Sequence, residues 1–320
     1  MKVETLRPFL LNPLIQDHQV LESLKILNQT YLDRKDLKKQ KLDENIVSSY
    51  VLYYLSTNIK KLDFVLGQLN EDTKNNILNG SILDFGCGPG TYSLGFLQES
   101  NFKGNLKLFD KSDVMIDQAK KLINGLYPNS SCEFVNAVEK CDTIIFGNSF
   151  NEIDIIDFRK ILKAAKPTNI ILIEPGTKEV FQKLMGQREF LIENKFNCVY
   201  PCASINKKCP IIEDTDNWCH QIMKTTHDIS IERICQLAKK DRRTMPMIAH
   251  VYSKDGIKDE RSIIFRSKRE TKFSFEFEVC GYVGDDVVLS DFVYLKKKFK
   301  KIDQKKIKQI SAGMRVKEDF

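Results

Sequence analysis

A glycine-rich segment at residues 86–90 has the residue types that hold a small ligand with a carboxylate and a sugar. It lies between an apolar run at Ser81–Phe85 and a helix-like stretch. Glycines let the backbone turn sharply and approach a ligand closely, and free amides at a helix start can meet a carboxylate. Asp110 ends the next apolar run, 20 positions after Gly90 (110 − 90), where an acid can accept hydrogen bonds from ribose hydroxyls. A tight strand-to-helix turn without a ligand is the alternative interpretation.

The glycine spacing is Gly-x-Gly-x-Gly, with an aspartate two residues ahead of it. This pattern resembles the first motif of class I methyltransferases more than the Gly-x-Gly-x-x-Gly motif of dinucleotide dehydrogenases. The resemblance implies S-adenosyl-L-methionine as the cofactor. The cofactor-binding residues that it implies are Asp84, Gly86, Gly88, Gly90 and Asp110.

The segment after the fourth apolar run reads Gly147-Asn148-Ser149-Phe150-Asn151-Glu152. Amino-methyltransferases often have an Asn-Pro-Pro-Tyr type motif at this place, and this chain has none. Asn148, Asn151 and Glu152 are candidates to face a pocket, although such residues are equally typical of a loop and a helix cap. No catalytic base is assigned from the sequence.

Four cysteines and a histidine lie within 23 residues, with the spacing C-x3-C-x6-C-x9-C-H from Cys198 to His220. Structural zinc sites usually have two to four residues between paired ligands, and the C-x3-C-x2-C motif of radical enzymes is also absent. Irregularly spaced thiolates suit an iron–sulfur cluster held by loops. Cys202 follows a proline, as in cytosine-5 methyltransferases, but its position after the fifth strand argues against a nucleophile there. Packing cysteines remain the alternative interpretation.

The elements that must position these residues alternate between strands and helices from Ser81 onward. Short apolar runs and amphipathic stretches in alternation predict a parallel sheet with ligands beyond the carboxyl ends of its strands. We therefore predict an α/β class I Rossmann-like methyltransferase fold with a helical N-terminal region, a cysteine-rich metal-binding insert and a C-terminal β extension. The predicted regions are a helical region at 1–78, a cofactor-binding domain at 79–197, a cysteine-rich segment with a basic helix at 198–245, and β strands with a lysine-rich tail at 246–320.

Composition restricts the class of protein only loosely. The 320 residues are 42% hydrophobic and carry a net charge of +7, which permits an anionic partner without requiring one. No apolar run approaches the roughly 18 residues of a membrane helix, and the N-terminal residues do not resemble a secretory signal. Nine cysteines, an odd number, favour metal binding over disulfides in a reducing compartment. We expect an intracellular monomer in the bacterial cytoplasm, with the mitochondrial matrix as the alternative.

Several short motifs in order resemble one known family. They are Glu174-Pro175-Gly176-Thr177, the helical Arg188, Pro201-Cys202, Cys209-Pro210 and Trp218-Cys219-His220. The family is that of methyltransferase-like assembly factors of the mitochondrial small ribosomal subunit and their bacterial homologues, and the resemblance runs from about Glu44 to Gly281.

Membership of that family implies a 4Fe-4S cluster and a small-subunit ribosomal RNA partner. The metal ligands that it implies are Cys202, Cys209, Cys219 and Cys280, with Cys198 and Cys235 spare. Ala203-Ser204 after Cys202 depart from the family's Pro-His, so the choice between Cys198 and Cys202 stays open. Three basic clusters suit a phosphate-binding face: Lys239, Lys240, Arg242 and Arg243; Arg266, Lys268, Arg269 and Lys272; and Lys296, Lys297, Lys298, Lys300, Lys301, Lys305, Lys306 and Lys308.

Three hypotheses for function follow. The first is an adenosylmethionine-dependent methyltransferase that acts on small-subunit RNA and carries the cluster. The second is a non-catalytic ribosome assembly factor that uses the same fold as a scaffold, favoured by the missing motif after the fourth strand. The third, a small-molecule methyltransferase with zinc, would show stoichiometric zinc and no broad visible band near about 400 nm.

Overall fold

The fold is taken from a computed structural model that describes residues 1–32, 42–202, 208–214, 216–256 and 261–317. The helices, in chain order, are α1 Val3–Leu6, α2 Asp17–Leu32, α3 Glu44–Tyr50, α4 Ser56–Asn58, α5 Lys60–Leu66, α6 Glu71–Asn79, α7 Thr91–Gln98, α8 Asp113–Leu126, α9 Ile155–Ala165, α10 Lys178–Glu193, α11 Ile229–Leu237 and α12 Lys301–Gln309. A π-helical turn covers Val51–Leu55, and 3-10 turns cover Arg7–Phe9, Phe150–Glu152 and Lys296–Lys298.

The strands are β1 Ser81–Phe85, β2 Asn105–Phe109, β3 Cys132–Phe134, β4 Thr143–Gly147, β5 Asn169–Pro175, β6 Asn197–Tyr200, β7 Gln221–Lys224, β8 Thr244–Ser253, β9 Ile263–Glu270, β10 Ser274–Val283 and β11 Asp286–Leu295. The chain forms two compact units. The first contains Met1–Asp63, Leu78–Glu139 and Thr225–Arg243, and the second contains Phe64–Ile77, Lys140–Lys224 and Thr244–Phe320. In the described part of the chain, none of the helices combines the length and apolar character required to cross a bilayer.

The first unit contains a parallel sheet in the order β3-β2-β1. Strand β1 pairs with β2 from Ser81 opposite Asn105 to Phe85 opposite Phe109, and β2 pairs with β3 from Leu106 opposite Cys132. Parallel strands need crossover connections, which the buried helix α7 and the amphipathic helix α8 supply. The sheet therefore brings the residues after β1 and β2 to one edge.

The second unit contains strands in the order β4-β5-β8-β6, with β7 also paired to β8. Strands β4 and β5 are parallel, whereas β8 runs antiparallel to both of its neighbours. The order 3-2-1 in one unit, and 4-5 followed by an antiparallel strand in the other, is that of class I Rossmann-like methyltransferases. The predicted α/β fold is confirmed.

A separate antiparallel sheet in the order β11-β10-β9 belongs to the second unit. Alternate residues of β10 are buried, because one face of this sheet packs against helix α12. The buried cluster contains Ile264, Phe275, Phe277, Val279, Tyr294, Ile307 and Ile310. The expected C-terminal β extension is therefore present, and its lysine-rich end is helical.

Differences from the predicted elements concern the region after β5. The sequence predicted loops around the cysteines, but Asn197–Tyr200 and Gln221–Lys224 are strands because each pairs with the apolar strand β8. The basic helix predicted within 198–245 is α11, which ends at Leu237, and Lys239 has a positive φ of 54°. Partner strands distant in sequence supply the hydrogen bonds that short segments cannot supply alone.

Candidate cofactor and cysteine sites

The loop after β1 has a backbone that few residues other than glycine adopt. Gly86, Gly88 and Gly90 have φ values of 70°, 55° and 84°. The N–H groups of Gly86 and Cys87 both donate to the carbonyl of Phe109, at 2.8 and 3.0 Å. These bonds hold the loop against the end of β2. The three glycines are therefore required for the turn itself.

Asp110, at the end of β2, contacts the loop directly. The N–H of Gly88 donates to Asp110 Oδ2 at 2.7 Å, and that of Ser112 donates to Oδ1 at 2.9 Å. A Cβ added to Gly88 would have no neighbour within 4 Å, whereas one at Gly90 would meet Ala119 of helix α8 at 3.5 Å. Gly88 thus faces open space beside a carboxylate, and Gly90 packs inward. The structure brings together the glycines and the acid that the sequence predicted.

Asp84 lies beneath the loop and is 1% exposed. Ser93 of helix α7 donates to Asp84 Oδ2 through its backbone N–H at 3.1 Å and its hydroxyl at 2.7 Å. Burial raises the pKa of Asp84 to about 6, although both bonds from Ser93 act in the opposite direction. Asp84 therefore anchors the start of α7 under the glycine loop.

The loop after β4, in the second unit, is held by two charged side chains. Lys183 Nζ donates to the carbonyls of Phe150, Asn151 and Ile153 at 3.0, 2.9 and 2.7 Å. The Phe150 N–H donates to Glu174 Oε1 at 2.8 Å. These contacts fix the loop that contains the candidates Asn148, Asn151 and Glu152. Asn148 has a φ of 58°, as expected of a loop residue, and Asp154 is the cap of helix α9.

Glu174 is fully buried, and its Oε2 has no hydrogen-bond partner among the described residues. Burial raises its pKa to about 8, despite the backbone N–H groups of the loop, and the charge of Glu152 raises it further. Glu174 is therefore largely protonated at neutral pH. In the sequence, Glu174 is part of the Glu174-Pro175-Gly176-Thr177 motif, and no role could be predicted for it because its burial depends on the tertiary structure.

The four cysteines that were predicted to bind metal surround one cavity of about 40 Å³ in the second unit. Cys202, Cys209, Cys219 and Cys280 all line it. They come from the segment after β6, a turn near residue 210, the residues just before β7, and strand β10. Sheet formation therefore gathers thiols that are up to 78 residues apart (280 − 202).

Cys198 does not line this cavity. Its thiol is 1% exposed, donates to the Tyr200 carbonyl at 3.2 Å, and lies 4.0 Å from His250 Nδ1. Cys235 is buried in the other unit. The geometry thus favours Cys202 over Cys198 as a ligand.

Arg188 provides a positive charge at the cavity wall, although the residue is only 2% exposed. Burial opposes its charge, but the nearby thiols of Cys202 and Cys198 raise the pKa of Arg188 overall. The pKa of Cys202 is lowered to about 6 by a hydrogen bond from Cys198 and by the guanidinium of Arg188. Burial raises the pKa of Cys209, Cys219 and Cys280. Burial thus disfavours the thiolate at these three cysteines, whereas the hydrogen bond from Cys198 and the guanidinium favour it at Cys202.

Trp218 and His220 flank Cys219 and fix its segment. Trp218 Nε1 donates to the Gly176 carbonyl at 3.1 Å, and the His220 ring lies 5.4 Å from the indole. Within the described ranges, no three or more His, Cys, Asp or Glu side chains are arranged to hold a single metal ion. The structure therefore shows a shared thiol-lined cavity and not a formed metal centre.

Each of the three basic clusters contains some cations that are ion-paired. Arg242 donates to Thr57 and to Asn58 Oδ1, and Arg243 pairs with Asp241. In the second cluster the partners are carboxylates of neighbouring strands: Arg266 with Glu278, Lys268 with Asp291, and Arg269 with Glu276. In the third cluster, in and before α12, Lys296 and Lys308 pair with Glu270, and Lys306 pairs with Asp303.

Comparison with protein families gives one decisive match. The model of the family described as mitochondrial small ribosomal subunit Rsm22 matches residues 44–262, more than half of the chain. The chain belongs to this family. The predicted resemblance is confirmed, and the match includes three of the four cavity cysteines. Cys280 lies outside the matched residues, so its assignment depends on its place in the cavity.

Solved structures with a similar fold include several methyltransferases. Protein PH1948 of Pyrococcus horikoshii is 14% identical, with a TM-score of 0.38, over 68% of this chain and 87% of that one. TrmK of M. capricolum, bound to S-adenosyl-homocysteine, is 12% identical, with a TM-score of 0.36, over 62% and 70%. A SAM-dependent methyltransferase from Aquifex aeolicus is 14% identical, with a TM-score of 0.33, over 66% and 99%. Among curated protein sequences, none matches this Rsm22-family chain.

Proposed function

We propose that this chain is an adenosylmethionine-binding factor of the small ribosomal subunit that carries a 4Fe-4S cluster and acts on ribosomal RNA. The observation that carries the cofactor assignment is the bond between the Gly88 N–H and Asp110 beside an open face of the loop. Family membership supports the ribosomal partner.

The glycine loop fits adenosylmethionine in chemical terms. Gly86, Gly88 and Gly90 would hold the backbone close to the cofactor, and Asp110 would accept from ribose hydroxyls. Asp84 would act through α7, and its Oδ1 is the carboxylate atom that remains for an amino group, since both Ser93 bonds use Oδ2. When bound, adenosylmethionine supplies an electrophilic methyl group.

A cluster is proposed for the thiol-lined cavity because four cysteines line it and, among the described residues, no three such side chains are arranged to hold a single ion. Each thiolate of such a cluster binds a different iron, so the ligands stand farther apart than around one zinc ion. Cys202, Cys209, Cys219 and Cys280 would be these ligands, and each would bind as a thiolate. The positive charge of Arg188 would offset part of the negative charge of the thiolates.

The fold is compatible with two forms of this function, a catalytic methyltransferase and a non-catalytic assembly factor. As a methyltransferase, the protein would mainly position an RNA base, which can lower a barrier by about 7–11 kcal/mol. The second candidate, a non-catalytic assembly scaffold, is favoured by the loop after β4. Lys183 and Glu174 are occupied in holding that loop, so neither is placed as a base.

The proposed cellular compartment depends on which small ribosomal subunit the protein binds. The family description names the mitochondrial small subunit, which favours the mitochondrial matrix. The bacterial cytoplasm, where homologues of that family would act, stays a prediction, and so does a monomeric state away from the ribosome.

The experiments test cofactor, cluster and reaction separately. Calorimetry should show adenosylmethionine binding that weakens by about tenfold or more in Asp110→Ala. Equal affinity of the two proteins would contradict the assigned loop.

Anaerobically purified protein should contain about four irons per chain, lost in Cys219→Ser. Stoichiometric zinc instead would exclude the cluster. Methyl transfer to small-subunit RNA, lost in Asp110→Ala, would support an enzyme, and subunit binding without transfer would support the scaffold.

A further inference from the structure

The net charge of the protein is concentrated in one short segment. Residues 295–308 contain eight lysines and one aspartate, and eight minus one gives +7. The formal net charge of the whole chain is also +7, so the other residues sum to zero. A charge asymmetry of this size attracts anions to one place on the surface.

The lysines of this segment lie at one end of the sheet β11-β10-β9. Strand β11 ends at Leu295, opposite Ser274 of β10, and the Lys296 N–H donates to the Phe273 carbonyl at 2.8 Å. The connection between β9 and β10, which includes Lys272, is therefore next to the start of the lysine segment. Residues distant in sequence thus join one surface.

Among the residues that the structure describes, three of the eight lysines form ion pairs. Lys296 and Lys308 share the carboxylate of Glu270, and Lys306 pairs with Asp303. No described carboxylate pairs with the other five, whose side chains are exposed: Lys297, Lys298, Lys300, Lys301 and Lys305. This contrasts with the second basic cluster, where neighbouring strands neutralise three of four cations.

Exposed apolar side chains accompany these cations. Phe273 is 71% exposed and lies beside Lys272, whose Nζ is 5.7 Å from the ring centroid. Ile302 is 64% exposed, between Lys301 and the next turn of α12. An exposed ring beside unpaired cations is the combination that binds single-stranded nucleic acids, since bases stack on rings and phosphates meet lysines.

We propose that the lysine surface binds the phosphates of a single-stranded segment of small-subunit RNA, an inference that rests on the proposed ribosomal function. The lysine surface is defined as Lys272, Phe273, Lys297, Lys298, Lys300, Lys301 and Lys305. Its five tail lysines, which have no carboxylate partner in the described part of the chain, supply the phosphate contacts, and Phe273 supplies a stacking platform. The paired cluster on β9 contributes little, because its carboxylate partners stay in place when RNA binds.

The test measures binding of the full-length protein to a single-stranded oligonucleotide of small-subunit RNA over a range of salt concentrations. The variant replaces four lysines with glutamine: Lys297→Gln, Lys298→Gln, Lys301→Gln and Lys305→Gln. Each lost phosphate contact lowers the log–log salt slope by about 0.7, so the slope should fall by roughly three. Phe273→Ala should weaken binding about tenfold or more with little change in slope.

A matched control removes charge from the same sheet: Arg266→Gln, Lys268→Gln and Arg269→Gln. It should change the slope by less than about one unit. Replacing the same four tail lysines with arginine should retain binding, because the charge is kept, and circular dichroism checks the fold of every variant.

The outcomes separate the inference from its premise. If the wild-type protein binds no RNA, the proposed ribosomal function is itself refuted. Wild-type binding with an unchanged slope in the glutamine variant would overturn the lysine surface alone. Binding of the tail to anionic phospholipid vesicles but not to RNA would assign the surface to a membrane and also overturn the proposal.

Discussion

Replacing Glu174 with glutamine should change how the stability of the protein depends on pH. Glutamine keeps the oxygen that accepts from the Phe150 N–H and cannot ionise. Burial raises the pKa of Glu174 from 4.5 to about 8. A carboxyl whose pKa is higher in the folded state stabilises the protein fully below the unfolded pKa, and this stability is lost as the pH rises towards the folded pKa.

The size of the effect follows from the two pKa values. Between about pH 5.5 and about pH 8 the wild type should lose about 3 kcal/mol of unfolding free energy that the glutamine variant keeps. Urea denaturation of both proteins across this range gives the difference directly, because other titrating groups cancel. Glu193→Gln, at an exposed site on α10, is the matched control. Parallel stability curves for wild type and Glu174→Gln would refute the buried, protonated carboxyl.

Three further predictions concern the loops and the cavity. Gly88→Ala should weaken adenosylmethionine binding by about tenfold or more in calorimetry, since the residue has a positive φ of 55° and the added Cβ would enter the ligand face. The control Gly186→Ala, in open space on helix α10, should instead raise the unfolding free energy by about 1 kcal/mol. Cys202→Ser should remove most bound iron whereas Cys198→Ser keeps it, and the reverse iron contents would reassign the ligand. Lys183→Met should lower the unfolding free energy by about 2–4 kcal/mol in urea, because three carbonyls lose a charged donor; a change below about 0.5 kcal/mol would contradict that role.

Much of the cofactor half was predictable from the sequence, because its signals are local. The strand, glycine turn and helix at residues 81–98 follow one another directly, and Asp110 stands at a fixed distance. Local backbone preferences and hydrophobic periodicity set such features within a few residues. The family resemblance also depended on short motifs, and the match over residues 44–262 confirmed it.

The fold class, the glycine loop with its acid, and the family were therefore all predictable from the amino-acid sequence. The three-dimensional structure was needed to show that Cys280 joins Cys202 at one cavity and that Glu174 is buried. It was also needed to show that Arg266 is paired, whereas Lys301 has no ion-pair partner among the described residues. The physical reason is that burial, ion pairing and the gathering of thiols depend on strands such as β8 and β10. Those strands pair with partners far away in the chain, and no local pattern encodes which side chains then meet.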